Sequence, residues 1–170
     1  LSVIAVSDEL GISRADTLEG LKACGGAHRR FEHKGTLGNV TVIDDYAHHP
    51  TEIKATLAAA KETDHNDIWC VFQPHTYTRT KALLGDFAEA LHTADHVVLT
   101  DIYAAREKDT REVHSKDLLA KILEYGTDAC YFSSFDEVEN YLLINCKKND
   151  LLITMGAGDV VTIGEHLLGK

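Results

Sequence analysis

The chain has 170 residues, of which 44% are hydrophobic, and a formal net charge of −10. That is enough for one cored domain with a short appendage, but not for two full domains. The acidic charge and the absence of a basic stripe argue against nucleic acid and anionic membrane surfaces as partners. No apolar run reaches the roughly 20 residues that a membrane span needs. We therefore predict a cytoplasmic protein with neither nucleic-acid nor membrane partners.

The cysteines form no C-x-x-C pair, and two of them, Cys70 and Cys130, fall inside apolar runs. We predict that they are reduced packing residues rather than metal ligands or disulfide partners. The first residue is Leu1 rather than Met. This suggests a segment cut from a longer protein, or a chain whose start has been removed.

Two short helices are predicted at the beginning, over residues 1–10 and 13–23. Val3, Val6 and Leu10 recur at helical spacing in the first of them. The glycine doublet that begins at Gly25 then ends the pattern, and a polar, extended piece follows over residues 27–33. We place a domain boundary at Gly25, between an appendage over residues 1–25 and a main domain over residues 26–170.

From Thr36 onward, short apolar runs alternate with amphipathic stretches. The runs predict five strands, over residues 40–43, 68–72, 96–100, 129–132 and 151–155. The other stretches predict helices over residues 50–61, 78–91, 115–125, 135–145 and from Asp159 onward. Strands that are apolar throughout and separated by single helices are typical of a mainly parallel sheet covered on both faces. The predicted fold is α/β, a Rossmann-like doubly wound domain.

The stretch from Val42 to Glu52, VIDDYAHHPTE, carries the strongest functional signal. Its apolar start ends a predicted strand, and Pro50 suits the first turn of a helix, where its missing N–H costs nothing. Residues 44–49 would therefore form a strand-to-helix loop. In open α/β sheets, ligands bind outside the carboxyl ends of the strands, and a helix N-terminus there favours anions. The sequence predicts a binding site in this loop.

Other strand ends also carry polar clusters. Residues 73–79 (QPHTYTR) follow the second predicted strand, and residues 156–159 (GAGD) follow the last. A poorer cluster, with Asp101, Tyr103 and Glu107, follows the third strand. Because the carboxyl ends of parallel strands lie at one edge of the sheet, these clusters are expected to meet there.

Several of these residues also have a purely structural interpretation. Asp44 and Asp45 are adjacent, so one side chain should face the site and the other the interior, although an Asp at a strand end is often only a turn former. His48, His49 and His75 could bind a metal with Asp45, but no H-x-x-x-H or C-x-x-C spacing supports a preformed cage. We predict no metal site made by protein groups alone.

Two more features are ambiguous in the same way. Arg79 in the first turn of a helix opposes the helix dipole, which indicates an anionic partner, either a ligand or a surface carboxylate. Gly156 and Gly158 allow backbone N–H groups to approach a ligand, but a tight turn would explain them equally well.

Five motifs carry a family resemblance: AHRRF, VIDDYAHHPTE, FQPHTYTRT, DIYAARE and MGAGDV. In this order and at these separations they closely resemble the C-terminal domain of the Mur ligases. Within that family, they are most similar to the members that join L-alanine to UDP-N-acetylmuramate. The resemblance covers essentially the whole chain: residues 1–25 resemble the tail of the preceding central ATPase domain, and residues 26–170 the amino-acid-binding domain.

This resemblance implies a three-domain enzyme of peptidoglycan precursor synthesis, whose domains bind the UDP-sugar, ATP and the amino acid in turn. ATP and Mg²⁺ phosphorylate the muramate carboxylate, and the alanine amine then attacks the acyl phosphate. The sequence has no G-x-x-x-x-G-K-[ST] phosphate loop. We therefore expect ATP and Mg²⁺ to be bound mainly by the missing central domain, and this chain alone to be inactive.

The resemblance also assigns roles to single residues. Arg30, the second arginine of AHRRF, matches the catalytic arginine that reaches the ATP phosphate, and Asp45 matches the acid that contacts the nucleotide ribose. The motifs of the amino-acid pocket supply four substrate-binding residues: Tyr46, His48, His75 and Arg79. Arg79 is suited to the alanine carboxylate, because a guanidinium binds carboxylates in bidentate fashion and stays charged.

Two questions about the pocket stay open. His48 is a predicted catalytic residue, because a histidine near an ammonium group can orient or deprotonate it, but His75 could do the same. Thr76 stands where many relatives have a second arginine, in QPHRYTRT. If that arginine holds the alanine carboxylate, this chain must use Arg79 alone or the Thr76 hydroxyl.

Three other functions compete with this interpretation. The murein tripeptide recycling ligase has a similar HHPT stretch, but its second motif differs and its pocket admits a peptide. A stand-alone nucleotide-binding or regulatory module would explain the missing phosphate loop. A metal-dependent phosphoesterase would use His48, His49, His75 and Asp45 as ligands.

Overall fold

The structure is a computed structural model that describes residues 2–24, 26–109 and 111–170. Leu1, Gly25 and Thr110 lie outside the described residues, so the boundary predicted at Gly25 falls on a position of which nothing is said. Among the residues described, no helix combines the length and the apolar character that a membrane crossing requires.

The chain begins with a pair of helices, α1 (Ser2–Glu9) and α2 (Arg14–Ala23), which pack against each other. Ser13 is the N-cap of α2, because its hydroxyl accepts the N–H of Asp16 over 3.2 Å. Both helices were predicted and are confirmed. Six large apolar side chains of this hairpin are exposed: Val3, Val6, Leu10, Ile12, Leu18 and Leu21.

A six-stranded sheet forms the centre of the main domain. Its strands are β1 (Glu32–Leu37), β2 (Val40–Asp45), β3 (Ile68–Phe72), β4 (His96–Leu99), β5 (Asp128–Tyr131) and β6 (Leu151–Met155). They lie in the order β1-β2-β6-β3-β4-β5; β1 is antiparallel to β2, and every other neighbouring pair is parallel. The mainly parallel sheet is thus confirmed, with one antiparallel edge strand that the sequence did not predict.

Six helices connect and follow the strands: α3 (Pro50–Lys61), α4 (Tyr77–Ala82), α5 (Leu84–Leu91), α6 (Ser115–Leu123), α7 (Phe135–Asn145) and α8 (Val161–Leu167). The single helix predicted over residues 78–91 is wrong in one respect. It breaks at Leu83, whose φ of −114° and ψ of 23° are not helical. The break separates α4, which lies beside the site, from α5, which belongs to the core.

Two apolar clusters lie on opposite faces of the sheet. On one face, Leu57 of α3 and Leu91 of α5 are fully buried in the cluster that contains Phe72. On the other face, Leu142 of α7 and Ile163 of α8 are buried in the cluster that contains Val42 and Val71. Burial of each such side chain contributes about 1.5–3 kcal/mol. The prediction of helices on both faces is confirmed.

The cysteines occupy different environments. Cys70 is fully buried on β3, and burial raises the pKa of its thiol to about 12. Cys130 and Cys146 are partly buried beside the second apolar cluster, as expected of packing residues. Cys24 is exposed at the end of α2, so the prediction of a packing role is wrong for this residue.

Candidate functional site

The carboxyl ends of β2, β6 and β3 lie side by side and bring three polar segments together. The N–H of Gly156 donates to the carbonyl oxygen of Asp45 over 3.0 Å, and the N–H of Gln73 donates to that of Met155 over 3.0 Å. The loops after these strands therefore begin at a common edge. The clusters predicted at residues 44–49, 73–79 and 156–159 meet there, as expected of a parallel sheet.

Arg29 joins these segments and was missed by the sequence reasoning. Its guanidinium donates from Nε to Asp44 Oδ2 over 2.8 Å, from Nη1 to the carbonyl oxygen of Gly158 over 3.0 Å, and from Nη2 to that of Gly156 over 2.7 Å. The residue has a φ of 54°, an uncommon backbone conformation for a residue with a side chain. The side chain of Arg29 thus connects the turn before β1 to the ends of β2 and β6 through hydrogen bonds.

Both aspartates at the end of β2 are buried. Asp44 accepts the hydroxyl of Thr154 over 2.8 Å in addition to its ion pair with Arg29. Burial raises the pKa of Asp44, while the hydrogen bonds from Arg29 and Thr154 oppose that rise. Asp45 accepts the N–H of Phe31 over 2.7 Å and that of Ala47 over 2.8 Å.

The two carboxylates do not divide between the site and the interior as expected, because both are buried and hydrogen-bonded. Both carboxylates stabilise loops through hydrogen bonds, because adjacent acids at the end of a buried strand need donors on either side. Asp45 is only 6% exposed. A contact of Asp45 with the nucleotide ribose stays a prediction.

Tyr46 lies between the side chains of Arg29 and Arg30. We call this solvent-facing border of the sheet edge, where Arg30 is exposed, the rim. The guanidinium carbon of Arg29 is 4.9 Å and that of Arg30 is 5.6 Å from the centre of the Tyr46 ring. The backbone N–H of Tyr46 also donates to the carbonyl oxygen of Arg29 over 2.8 Å. Arg30 is exposed, so its charge can reach an anion that approaches this rim.

Four aromatic rings form a continuous row at the site. Ring centres are separated by 5.5 Å between Tyr46 and His48, 5.8 Å between His48 and His75, and 5.6 Å between His75 and Tyr103. The N–H of Thr76 donates to the carbonyl oxygen of Tyr103 over 2.9 Å, which fixes the loop after β4 beside the loop after β3. The weak cluster seen in the sequence at Tyr103 thus contributes a wall of the same site.

The two histidines have different neighbours. Nδ1 of His48 lies 3.0 Å from the carbonyl oxygen of Tyr46 and 3.5 Å from a carboxylate oxygen of Glu52. Nδ1 of His75 lies 3.4 Å from Nη1 of Arg79. Burial lowers the pKa of His75, and the nearby charges of Arg79 and His48 lower it further.

The start of α4 positions Arg79. Thr76 precedes this helix with a φ of 68°, which for a β-branched residue costs about 1–3 kcal/mol and is typical of functional loops. Glu107 accepts the N–H of Thr78 over 3.0 Å and also its hydroxyl. These two hydrogen bonds lower the pKa of Glu107. Arg79 lies in the first turn of α4, as predicted, and is partly buried with its guanidinium against His75.

Gly156 and Gly158, which follow β6, allow neighbouring groups to pack closely because they have no Cβ. A Cβ on Gly156 would lie 2.8 Å from the carbonyl oxygen of Gln73, and one on Gly158 would lie 2.8 Å from Cγ of Tyr103 and closer still to Oε1 of Gln73. The amide of Gln73 donates to Asp159 over 2.7 Å and accepts the N–H of Val160 over 3.3 Å. Of the two interpretations left open, the tight turn is supported.

The histidine pair does not form a metal cage within the described part of the chain. His49 is the N-cap of α3, where its Nδ1 accepts the N–H of Thr51 over 3.3 Å, so it does not act together with His48. Over residues 2–24, 26–109 and 111–170, no group of three or more His, Cys, Asp or Glu side chains is arranged to hold a metal ion.

Comparison with known proteins identifies the family. Residues 29–158 match the family model described as "Mur ligase, glutamate ligase domain". The chain belongs to the Mur ligase family. The match extends from Arg29 to Gly158 and therefore includes the row of rings and both arginines at the rim.

Curated Mur ligases resemble the chain over its whole length. The UDP-N-acetylmuramate–L-alanine ligase of Agathobacter rectalis is 58% identical over 170 residues, which are 100% of this chain and 37% of that protein. The corresponding ligase of Lachnoclostridium phytofermentans is 55% identical over 100% of this chain and 36% of that protein. The chain thus spans little more than a third of the length of these relatives.

Solved Mur ligase structures share the fold. The UDP-N-acetylmuramate–alanine ligase of Thermotoga maritima has a TM-score of 0.79 and 34% identity, over 98% of this chain and 35% of that one. A murein peptide ligase from Psychrobacter arcticus has a TM-score of 0.69 and 27% identity, over 98% of this chain and 34% of that one. In both sequence and structure, the alanine ligase is more similar than the peptide ligase.

Proposed function

We propose that this Mur ligase domain is the amino-acid-binding part of a cytoplasmic ligase that joins L-alanine to UDP-N-acetylmuramate through an acyl phosphate. The observation that carries the proposal is the row of rings beside Arg79, which places a permanent cation and two imidazoles at one sheet edge. An amino acid offers a carboxylate and an ammonium group a few ångströms apart, and this edge has groups suited to both. The names of the curated relatives support L-alanine as the amine.

Within this proposal, the predicted residues keep separate roles. Arg79 binds the alanine carboxylate, and Tyr46, His48 and His75 line the rest of the pocket. Arg30, exposed at the rim, reaches the ATP phosphate when the domains close over the reactants. Closure of this kind positions the amine, excludes water and neutralises charge on the transferred phosphoryl group.

The residues of this chain supply only part of what the binding of ATP and Mg²⁺ requires. The described residues contain no group of three acids or histidines that could hold a metal. Arg30, which is exposed at the rim, is suited to one phosphate at most, because the guanidinium of Arg29 is already bound to Asp44 and to two carbonyl oxygens. We therefore assign the binding of ATP and Mg²⁺ mainly to a preceding domain, against which the exposed apolar side chains of α1 and α2 would pack.

The proposal is tested by comparing amines in the full-length protein. Ligation of L-alanine and of the tripeptide to UDP-N-acetylmuramate is measured side by side, with ATP and Mg²⁺ present. We expect a strong preference for L-alanine, whereas preferred turnover of the tripeptide would support the recycling ligase instead.

The isolated chain provides a second comparison. We expect it to ligate nothing and to bind ATP weakly or not at all, because its charges cover only part of the nucleotide. Tight ATP binding by the 170 residues would favour the non-catalytic nucleotide-binding module.

A further inference from the structure

The hydrogen bonds of His48 and His75 distinguish the two rings. A neutral imidazole carries one proton, and the neighbour of one nitrogen decides which nitrogen carries it. Nδ1 of His48 faces only acceptors, the carbonyl oxygen of Tyr46 at 3.0 Å and the carboxylate of Glu52 at 3.5 Å. The proton of His48 is therefore on Nδ1, and the lone pair is on Nε2.

His75 has the opposite arrangement. Its Nδ1 lies 3.4 Å from Nη1 of Arg79, which can only donate. The lone pair of His75 is therefore on Nδ1, and its proton is on Nε2. Neither Nε2 has a hydrogen-bond partner among the residues that the structure describes, and neither is among the buried polar atoms without a partner. Both Nε2 atoms thus remain available to a ligand.

From these contacts we infer that His48 accepts the proton of the substrate ammonium group, while His75 donates a hydrogen bond to the amino-acid carboxylate beside Arg79. This assignment rests on the proposed function and goes further, because it gives the two histidines separate roles. His75 Nε2–H and the unused N–H groups of Arg79 form a set of donors, which suits a carboxylate. His48 Nε2 offers a lone pair, which suits an ammonium group.

The surrounding charges favour the same division. Glu52 faces His48 from α3 with its carboxylate 3.5 Å from Nδ1, while Tyr46 and His75 are the other ring neighbours of His48. Arg79 and His48 face His75 and disfavour its protonation, and Glu107 opposes them only weakly. Burial acts in the same direction as Arg79, so His75 stays neutral and keeps its donor.

In the proposed step, a proton moves from the substrate ammonium group to His48. One N–H bond of the alanine ammonium group breaks, its electron pair stays on nitrogen, and the proton bonds to Nε2 of His48. The neutral amine then attacks the acyl carbon, and phosphate leaves with the electrons of the C–O bond and the second amine proton. The imidazolium of His48 returns its proton to solvent.

The test uses His48→Gln and His75→Gln in the full-length ligase, with His65→Gln as a matched control at a partly buried position outside the site. For His48→Gln we expect kcat with L-alanine to fall about 10²- to 10⁴-fold, the usual contribution of a general base. The KM for L-alanine should change little. The rate should recover as the pH rises and the free amine becomes more abundant.

Hydroxylamine separates this role from a structural one, because it is already neutral at pH 7 and traps the acyl phosphate as a hydroxamate. His48→Gln should therefore lose far less of its rate with hydroxylamine than with L-alanine. An equal loss with both amines would overturn the assignment of His48.

For His75→Gln, whose amide N–H can partly replace Nε2–H, we expect kcat to fall by far less than in His48→Gln. His75→Ala should instead raise the KM for L-alanine by about tenfold or more. A large fall in kcat for His75→Gln, with His48→Gln active, would reverse the two roles and overturn the inference. Failure of the unmodified enzyme to ligate L-alanine would refute the proposed function itself.

Discussion

The guanidinium of Arg29 is 2.8 Å from the carboxylate of Asp44, which is entirely buried at the end of β2. The same guanidinium binds two carbonyl oxygens in the turn after β6. Because a buried carboxylate without a partner is strongly unfavourable, this pair stabilises the edge of the sheet on which the site is built. It also places Arg30, the next residue, at the rim.

Arg29→Ala is expected to destabilise the chain by about 3–5 kcal/mol, because it leaves the charge of Asp44 buried and uncompensated. Urea unfolding of the 170-residue chain measures this loss. Arg106→Ala is the matched control, since Arg106 is exposed, and should stay within about 0.5 kcal/mol.

The double variant Arg29→Ala/Asp44→Ala tests whether the pair is the cause. We expect it to lose clearly less stability than the sum of the single variants, since removal of Asp44 also removes the uncompensated charge. Strict additivity would mean that the two side chains act independently.

Gly158→Ala should displace Tyr103 and Gln73, which pack against Gly158 beside the site. The new Cβ would lie 2.8 Å from Cγ of Tyr103 and overlap the amide of Gln73, so the wall beside His75 must move. We expect a loss of about 1–3 kcal/mol in stability and a higher KM for L-alanine in the full-length ligase.

Gly85→Ala is the control for this change, because a Cβ there meets nothing within 4 Å and the residue is in α5. It should be neutral or stabilise the chain by about 0.5 kcal/mol. Equal effects of the two substitutions would show that the packing around Gly158 is unimportant.

The stability of the chain should depend on pH through His75. Burial, Arg79 and His48 lower its pKa below the unfolded value of about 6.5. The unfolded chain therefore binds more protons between the folded pKa and about 6.5, and stability rises with pH across that window. Above about pH 6.5 the contribution of His75 to the free energy of unfolding is fully present. This contribution is lost as the pH falls through the pKa of His75 in the folded chain.

His75→Gln should flatten this part of the profile of unfolding free energy against pH, while His65→Gln should leave it unchanged. Unfolding by urea at several pH values from about 5 to about 8 gives the slope of the unfolding free energy against pH for each variant. A slope that persists in His75→Gln would assign the dependence to another group.

Arg79→Ala in the full-length ligase should mainly raise the KM for L-alanine. A charged hydrogen bond contributes about 1.5–3 kcal/mol, which corresponds to a change of roughly 10- to 150-fold. Arg79→Lys should recover only part of this loss, because an ammonium group cannot bind a carboxylate in bidentate fashion. An unchanged KM in Arg79→Ala would remove Arg79 from the pocket.

The strands and the edge that carries the site could be predicted because buried parallel strands are apolar throughout and end abruptly in polar residues. β1 was missed because Gly35 and charged residues break its alternation, and a register shift occurs between His33 and Gly35. Gly38 and Asn39, both with positive φ, were the available hairpin signal between Leu37 and Val40.

Other features depend on geometry that a sequence does not display. In the doublet of Arg29 and Arg30, the pattern cannot tell which side chain turns inward, because the φ of 54° at Arg29 decides it. The break at Leu83 was missed since apolar residues recur at helical spacing on both sides of it. The separate roles of His48 and His75 depend on which groups face each Nδ1. These groups are close in sequence, but the orientation of each ring that selects them is not visible in the pattern.

The central claim is that this chain supplies the amino-acid site of an L-alanine ligase. It is tested most directly by a chimera in which the chain replaces the matching 37% of the Agathobacter rectalis ligase. With ATP, Mg²⁺, UDP-N-acetylmuramate and L-alanine, we expect the alanine adduct to form and to be detected by its mass, and Arg79→Ala in the chimera to raise the KM for L-alanine. A folded chimera that makes no adduct, or one that prefers the tripeptide, would contradict the account.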